Sequence, residues 1–410
     1  MSLIRRCLIP TLLCIMGISW FLLYRGYANL TYSLHTKDRL RSTTKYRFQY
    51  ISHDWINRPL HSHLAKEIAR NLANCNAPAF SHSLYGQGMG ADIHIWSQAL
   101  CNAMERGGRL VLSDRPWVWN DDAFCTQLAG ENRLPSTDPF FCYFTIRDNC
   151  RLQTASSTPA MAQAATASSA RSISHSHNYS MCPSYITDES SRQLFRAAAV
   201  EYLFSNLRPE IVQEADGVIG EIFHSVLSTH SQDTTIRPPP ALALSYVAGR
   251  ASPAKRGARG HFPIADMISV HIRRGDKITE MDLVSDMDYI RGIDSFVQNY
   301  SISEPHIFLT TEDKRSADKF SSKVEAYNAT WRVFTYDKSV GHMFASTTMY
   351  MAQSSHGALG RFSLISLLIA LEAKYYVLTS GSNWSRLIDE LRRNVLDVEC
   401  QNCTRMLDLR

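Results

Sequence analysis

The sequence predicts an α/β protein built on parallel sheet, and three observations carry that reading. From Phe262 onward, short β-branched runs alternate with helical periodicity, the pattern of successive βαβ units. Earlier, Leu84-Tyr85-Gly86-Gln87-Gly88-Met89-Gly90-Ala91-Asp92-Ile93-His94 is a glycine-rich loop that feeds an apolar helix and then a strand. Near the start of the first of these regions, Ile268-Ser269-Val270-His271-Ile272 reads as a buried strand running straight into Arg273-Arg274-Gly275-Asp276-Lys277. Ligands of open α/β sheets sit beyond the carboxyl ends of the strands, so that charged run is the first candidate site.

Taken in order, the chain opens with Arg5 and Arg6, followed by a largely apolar stretch from Cys7 to Tyr24. Its length is at the short end for a membrane helix, and the positive charge on its amino side favours a cytosolic N-terminus. A cleaved signal peptide is the rival, but bulky Trp20, Phe21 and Tyr24 crowd the place where a small-residue cleavage site would fall. The expectation is a cytosolic tail (1–6), a signal anchor (7–24) and a stem (25–60), with the rest of the chain lumenal. That describes a single-pass type II protein of the secretory pathway, taken here as the Golgi membrane. Eight cysteines lie beyond the anchor: Cys75, Cys101, Cys125, Cys142, Cys150, Cys182, Cys400 and Cys403. An even number suits disulfides in such a compartment. Cys142–Cys150 is a plausible local bridge, and Cys400-x-x-Cys403 reads as a terminal staple, because no second ligand pair accompanies it as zinc would need. Sequons at Asn29, Asn178, Asn299, Asn328, Asn383 and Asn402 fit a glycoprotein.

An amino-terminal α/β domain is expected over 61–262 and a nucleotide-binding, Rossmann-like domain over 263–410. Within the first, His61 to Leu72 is helical, the apolar helix after the glycines runs to about Glu105, and Arg109 to Leu112 is a strand. Glycine-rich entries to helix N-termini bind anions, although the same glycines also serve a tight turn without a ligand. Trp117 and Trp119 follow. Residues 153–180, rich in Ser, Ala and Thr, predict a disordered insertion. Ser191 to Leu207 is helical, and Ser228 to His261, with Pro238-Pro239-Pro240 and a basic patch at Lys255 to Arg259, reads as a linker.

The second half continues with a helix near 288–299, a strand at His306–Thr310, a helix to about Ala326 and a strand at Arg332–Thr335. A buried helix over Gly360–Ala373, a strand at Tyr375–Thr379 and a helix from Trp384 to Asn394 complete it. The turn Ser380-Gly381-Ser382-Asn383 between the last strand and helix is a second anion candidate.

At 410 residues, the chain holds two domains with real cores, and 45% hydrophobic with 20% charged residues excludes a disordered protein. A net charge of +5 suits an anionic small ligand and, without a basic–aromatic array, does not imply nucleic-acid binding, so no nucleic-acid partner is expected. Arginine supplies a rigid fork of donors for phosphate oxygens, and lysine a point charge. Asp276 and Glu280 bring carboxylates into that basic setting, to orient a group or take a proton. A solvated basic turn is the plain alternative. Asp286-Met287-Asp288 offers a metal-binding spelling, yet it falls at a helix start, where acids act as caps.

The run His-x-Arg-Arg-x-Asp-Lys at His271 to Lys277 resembles the signature of the α1,6-fucosyltransferase (core fucosyltransferase) family and its bacterial relatives. Gly88, Gly90 and His94 match that family's Gly-x-Gly-x-x-x-His, and Ser382 and Arg386 match its third motif. The resemblance covers about 75–125 and 265–395. It implies a GT-B-like fold of two Rossmann-like domains and metal-independent, inverting transfer of fucose from GDP-fucose, with no cofactor beyond that donor. The acceptor it implies is a glycan or glycoprotein, foremost an N-glycan. Alternatives are a protein-O-fucosyltransferase and a catalytically inactive sugar-binding relative.

Residue by residue, the resemblance puts the backbone of Gly90 and Ala91, with Ser382, at the donor's β-phosphate and Trp119 at the ribose. Arg273 takes the phosphates, with Arg274 and His271 beside it, while Glu280 is the general base and Lys277 its partner. The family has one more residue between that lysine and glutamate, so Asp276 or Asp282 competes for the role. Ser366 stands where the family has an aspartate facing guanine. The family's coiled coil and SH3-like domain have no counterpart in this sequence.

Overall fold

In the computed structural model, the described residues are 51, 55–56, 58–84, 86–112, 117–129, 139–146, 171–173, 181–229, 264–274, 282–339 and 348–410. They belong to one compact unit, Phe48–Arg410. The expected tail, the anchor and the stem as far as residue 50 lie outside them, as do most of the 153–180 insertion, the 228–261 linker beyond residue 229, and Cys150. Among the described residues, no helix is long and apolar enough to cross a membrane.

The first sheet is three parallel strands in the order β2-β1-β3. β1 (Ala79–His82) and β2 (Arg109–Leu112) pair with Phe80 opposite Leu110, and β3 (Arg171–Ser172) adds to the other edge of β1. Helix α1 (His63–Ala73) precedes β1 and starts where the Ser62 hydroxyl accepts the Ala65 N–H at 3.0 Å. Helix α2 (Met89–Glu105) joins β1 to β2. It is buried along nearly its whole length, which explains an apolar composition without a clean polar face. Helices α3 (Asp122–Ala129), α4 (Glu189–Phe204) and α5 (Pro209–Thr229) follow.

The second sheet is five parallel strands in the order β6-β5-β4-β7-β8. β4 (Ile264–His271), α6 (Asp286–Tyr300), β5 (His306–Thr310), α7 (Lys314–Tyr327) and β6 (Arg332–Phe334) build out one side. Helices α8 (Thr348–Ser354) and α9 (Ala358–Ala370) then carry the chain back to β7 (Ala373–Leu378) on the other side of β4. Next come α10 (Asn383–Leu391), a π-helical turn (Arg392–Leu396), α11 (Asp397–Cys400) and the edge strand β8 (Arg405–Asp408). The strand order reverses between β4 and β7, and such a switch point opens a crevice at the carboxyl ends of the strands. Ile268, Val270, Tyr376 and Val377 are fully buried, as strands covered on both faces must be. Gly292 lets α6 lie close on this sheet, because a Cβ there would sit 2.9 Å from Val377.

Several expectations are corrected. The end of the expected stem is core: Trp55 is fully buried, the Ile51 N–H donates to Asp216 Oδ1 at 2.7 Å, and buried Arg58 pairs with Glu399. An irregular segment held by a few anchors has no period, so its sequence looks like a stem. β3 lies inside the range expected to be disordered, and α5 runs up to the range read as linker. Cys142 pairs with Cys125 instead of Cys150, and Cys101 pairs with Cys182. The second bridge spans 81 residues, which corresponds to about 4 to 5 kcal/mol by loop-closure entropy. Cys400–Cys403 is a disulfide, as the staple reading expects. Among the described residues, Asp397 with these two cysteines is the one cluster of metal-ligand type, and the bridge consumes its thiols.

Candidate functional site

Two helix starts meet at the switch-point crevice. Gly88 is the N-cap of α2 and Ser382 that of α10, and neither start is closed by a side-chain cap. The first N–H groups of an uncapped helix are donors awaiting acceptors, with the positive end of the helix dipole behind them. The two starts touch. A Cβ on Gly90 would lie 3.2 Å from the Asn383 carbonyl and 3.3 Å from the Trp384 nitrogen, so this position has to be glycine or the helices must part.

The glycine-rich loop is held from beneath by Asp92. Its carboxylate accepts the Gln87 N–H at 3.0 Å and the Trp117 indole N–H at 2.7 Å, and the Trp119 indole donates to the Gln87 carbonyl at 2.9 Å. Burial raises the Asp92 carboxyl to about 6, against those hydrogen bonds. Between its ordinary value and about 6, the folded chain holds a proton that the unfolded chain releases. Stability from this group is therefore lost as pH rises through about 6 and stays flat above it. Urea unfolding of the wild type and Asp92→Asn from about pH 4 to about pH 7 is expected to show the wild type losing ground to the variant through that window. Parallel stability curves would refute the assignment.

At the end of β4, Arg273 is buried and bonds the Glu312 carboxylate and, at 2.9 Å, the Arg274 carbonyl. Glu312 follows β5, the parallel neighbour of β4, and also accepts the Arg274 N–H at 2.9 Å. Burial pushes the Glu312 carboxyl up, opposed by the Arg273 charge and the backbone donor. The His271 ring bonds the Ser385 hydroxyl through Nδ1 at 2.7 Å. Burial, and then the charge of Arg273, lower His271 to about 3, so it is a neutral imidazole with Nε2 left for the crevice.

Arg274 turns elsewhere, to Asp286 at 2.8 Å, which Lys323 also pairs at 2.7 Å. Burial works against ionisation of Asp286, but Lys323 and Arg274 outweigh it and hold this carboxyl below its ordinary value. Asp286 and Asp288 occupy the first turn of α6 behind the N-cap Ser285, where the cap reading of Asp-x-Asp places them.

These elements line a cavity of about 500 Å³. Gly90, Ala91, Trp119, His271, Arg273, Ser366 and Ser382 are all on its wall, although they come from both halves of the sequence. Arg274 is not on that wall, and Asp276, Lys277 and Glu280 lie outside the described residues. Asp282, the remaining carboxylate considered as base, is exposed on a larger cavity of about 1180 Å³ that shares Ala91, Ile95 and Asn383 with the first. Sequence reasoning missed Glu312 and Asp92 as site residues. The one signal for Glu312 was its place just past a strand, at the same sheet edge as Arg273.

No family model and no curated protein matches this sequence. By structure it is similar to the fucosyltransferase NodZ from Bradyrhizobium, with a TM-score of 0.34, 14% identity and coverage of 76% of this chain and 92% of that one. It is also similar to POFUT1 in its apo form, at a TM-score of 0.41, 8% identity, and coverage of 82% and 98%. For POFUT1 in complex with GDP-fucose the values are 0.38, 10%, 83% and 100%. Scores this low do not establish a shared fold, so the functional reading stands on the chemistry of the cavity.

Proposed function

We propose that this chain is a glycosyltransferase that binds GDP-fucose in the 500 Å³ cavity and moves fucose, with inversion, to a glycan acceptor. The acceptor in this reading is an N-glycan, met on the lumenal side of the Golgi membrane. The observation that carries the proposal is the convergence of a buried arginine and two uncapped helix starts on one cavity at the switch point. Leaving of a nucleoside diphosphate requires its developing negative charge to be stabilised, and arginine plus helix dipoles supply that without a metal. Neutral His271 adds a hydrogen-bonding group at the same wall. Glu280, partnered by Lys277, is assigned the acceptor's hydroxyl proton, with Asp276 and Asp282 as competitors. The bond from the sugar to the acceptor oxygen forms as the bond to the diphosphate breaks. Ser366 is a neutral group in the wall where guanine recognition by a carboxylate would be stronger, so either guanine is read here more by backbone or the donor base is a different one.

Calorimetry with GDP, UDP and ADP, and transfer assays with GDP-fucose in EDTA, test the proposal together. GDP is expected to bind in preference to the others, and transfer to survive chelation. Preference for UDP or ADP would overturn the donor assignment, and activity restored only by Mn²⁺ or Mg²⁺ would overturn the metal-independent mechanism.

A further inference from the structure

Asn383 reads in the sequence as a glycosylation acceptor, since Asn383-Trp384-Ser385 is a sequon. The structure puts it in a different setting. It is the first residue of α10 and lines both the smaller and the larger cavity. Its Oδ1 receives two bonds: from the Arg386 guanidinium and, at 3.0 Å, from His94 Nδ1. A guanidinium only donates, so the atom facing it is the amide oxygen, and the orientation of this amide is settled by chemistry. His94 Nδ1 must then donate as well. The other ring nitrogen, Nε2, lies 3.0 Å from Glu390 Oε2, and Arg196 pairs with the second carboxylate oxygen at 2.7 Å. Burial disfavours ionised Glu390, but His94 and Arg196 outweigh it and hold it below the ordinary carboxyl range. Both ring nitrogens of His94 thus face side-chain oxygens, which fixes the ring between Asn383 and Glu390.

We propose that Asn383 is a ligand-binding residue, aimed by the His94–Arg386 clamp so that its Nδ2 donors meet a phosphate oxygen of the bound nucleotide. This rests on the nucleotide reading of the cavity. The clamp consumes Oδ1, leaving Nδ2 with two hydrogens at the wall that the cavities share. The free N–H groups of the α10 first turn point to the same kind of ligand, an anion. Nδ2 is also the atom that N-glycosylation would modify, so a glycan there would take the position that this inference gives to the ligand.

The test uses Asn383→Asp and Asn383→Ser, with GDP and inorganic pyrophosphate as calorimetric ligands. Aspartate keeps both clamp bonds, since a carboxylate accepts from His94 and Arg386, but it replaces the outward donor with a negative oxygen. Asn383→Asp is expected to keep the wild-type Tm while its affinity for both ligands falls at least tenfold, and Asn383→Ser to lose less. Mass spectrometry of the full-length wild type made in a secretory host is expected to find Asn383 unmodified. Affinity within about threefold of wild type in Asn383→Asp, or a glycan on Asn383, overturns this inference alone. Unchanged GDP affinity with a weaker acceptor KM puts the amide on the acceptor side and overturns it too. A wild type that binds neither ligand overturns the nucleotide reading and this inference with it.

Discussion

Arg273→Ala is expected to abolish transfer, with kcat/KM falling by a hundredfold or more. The guanidinium is largely buried at the carboxyl end of β4, where little solvent competes for its bonds. Bonds to a charged group contribute about 1.5–3 kcal/mol each, and a diphosphate accepts more than one. The variant also leaves the Glu312 carboxylate beside the ligand's negative charge without its guanidinium partner. Both effects act on the diphosphate, so GDP affinity should fall with kcat/KM, and loss of one member of the buried pair should lower Tm as well. A loss smaller than about tenfold, or 1.4 kcal/mol, would place the diphosphate elsewhere.

Glu312→Gln should destabilise the empty protein by about 3 kcal/mol, because removing one member of a buried ion pair leaves the other charge poorly compensated. The loss is expected to be partly reversed by GDP. A bound diphosphate gives Arg273 a new counter-charge, and ligand at a hundred times its Kd contributes about 2.7 kcal/mol by mass action. Thermal unfolding with and without saturating GDP checks both statements. The variant's Tm should drop in the absence of ligand, and its gain on adding GDP should exceed that of the wild type. An unchanged Tm without ligand would mean that the pair is solvated and that Glu312 does not hold the arginine in place.

The two adjacent arginines at the end of β4 have different partners. Of the two adjacent arginines, one is spent on Asp286 at the start of α6 and the other is kept at the cavity wall by Glu312. Sequence alone gives both arginines the same expected role, because neighbouring residues at a strand end differ only in the direction of their side chains. That direction is set by which helices cover the sheet.

The elements most legible in the sequence were those whose burial is one-sided or complete and whose ends carry turn chemistry. β5 and β2 fall where β-branched runs bounded by polar turns put them, and α2 and α10 begin at their Gly and Ser-Asn entries. β8 and β1 were not legible, since neither Arg405–Asp408 nor Ala79–His82 contains a β-branched residue to mark a strand. The cysteine pairing was equally hidden: Cys101 and Cys182 lie 81 residues apart, and only the packing of α2 brings them together.

By itself, then, the sequence determined the alternation of strand and helix, the parallel sheet, and the two glycine- and serine-rich helix entries suited to an anion. These are local properties, written in periodicity and in the backbone freedom of single residues. Tertiary structure alone decided that β4 and β7 are neighbours, and so that the crevice opens between them. It also decided that α2 touches α10 at Gly90, that Glu312 reaches Arg273, and that the sequon asparagine lines a cavity wall. The physical reason is the same in each case. Strand order and helix contact depend on which apolar faces cover each other over separations of tens to hundreds of residues, and no local pattern encodes that choice.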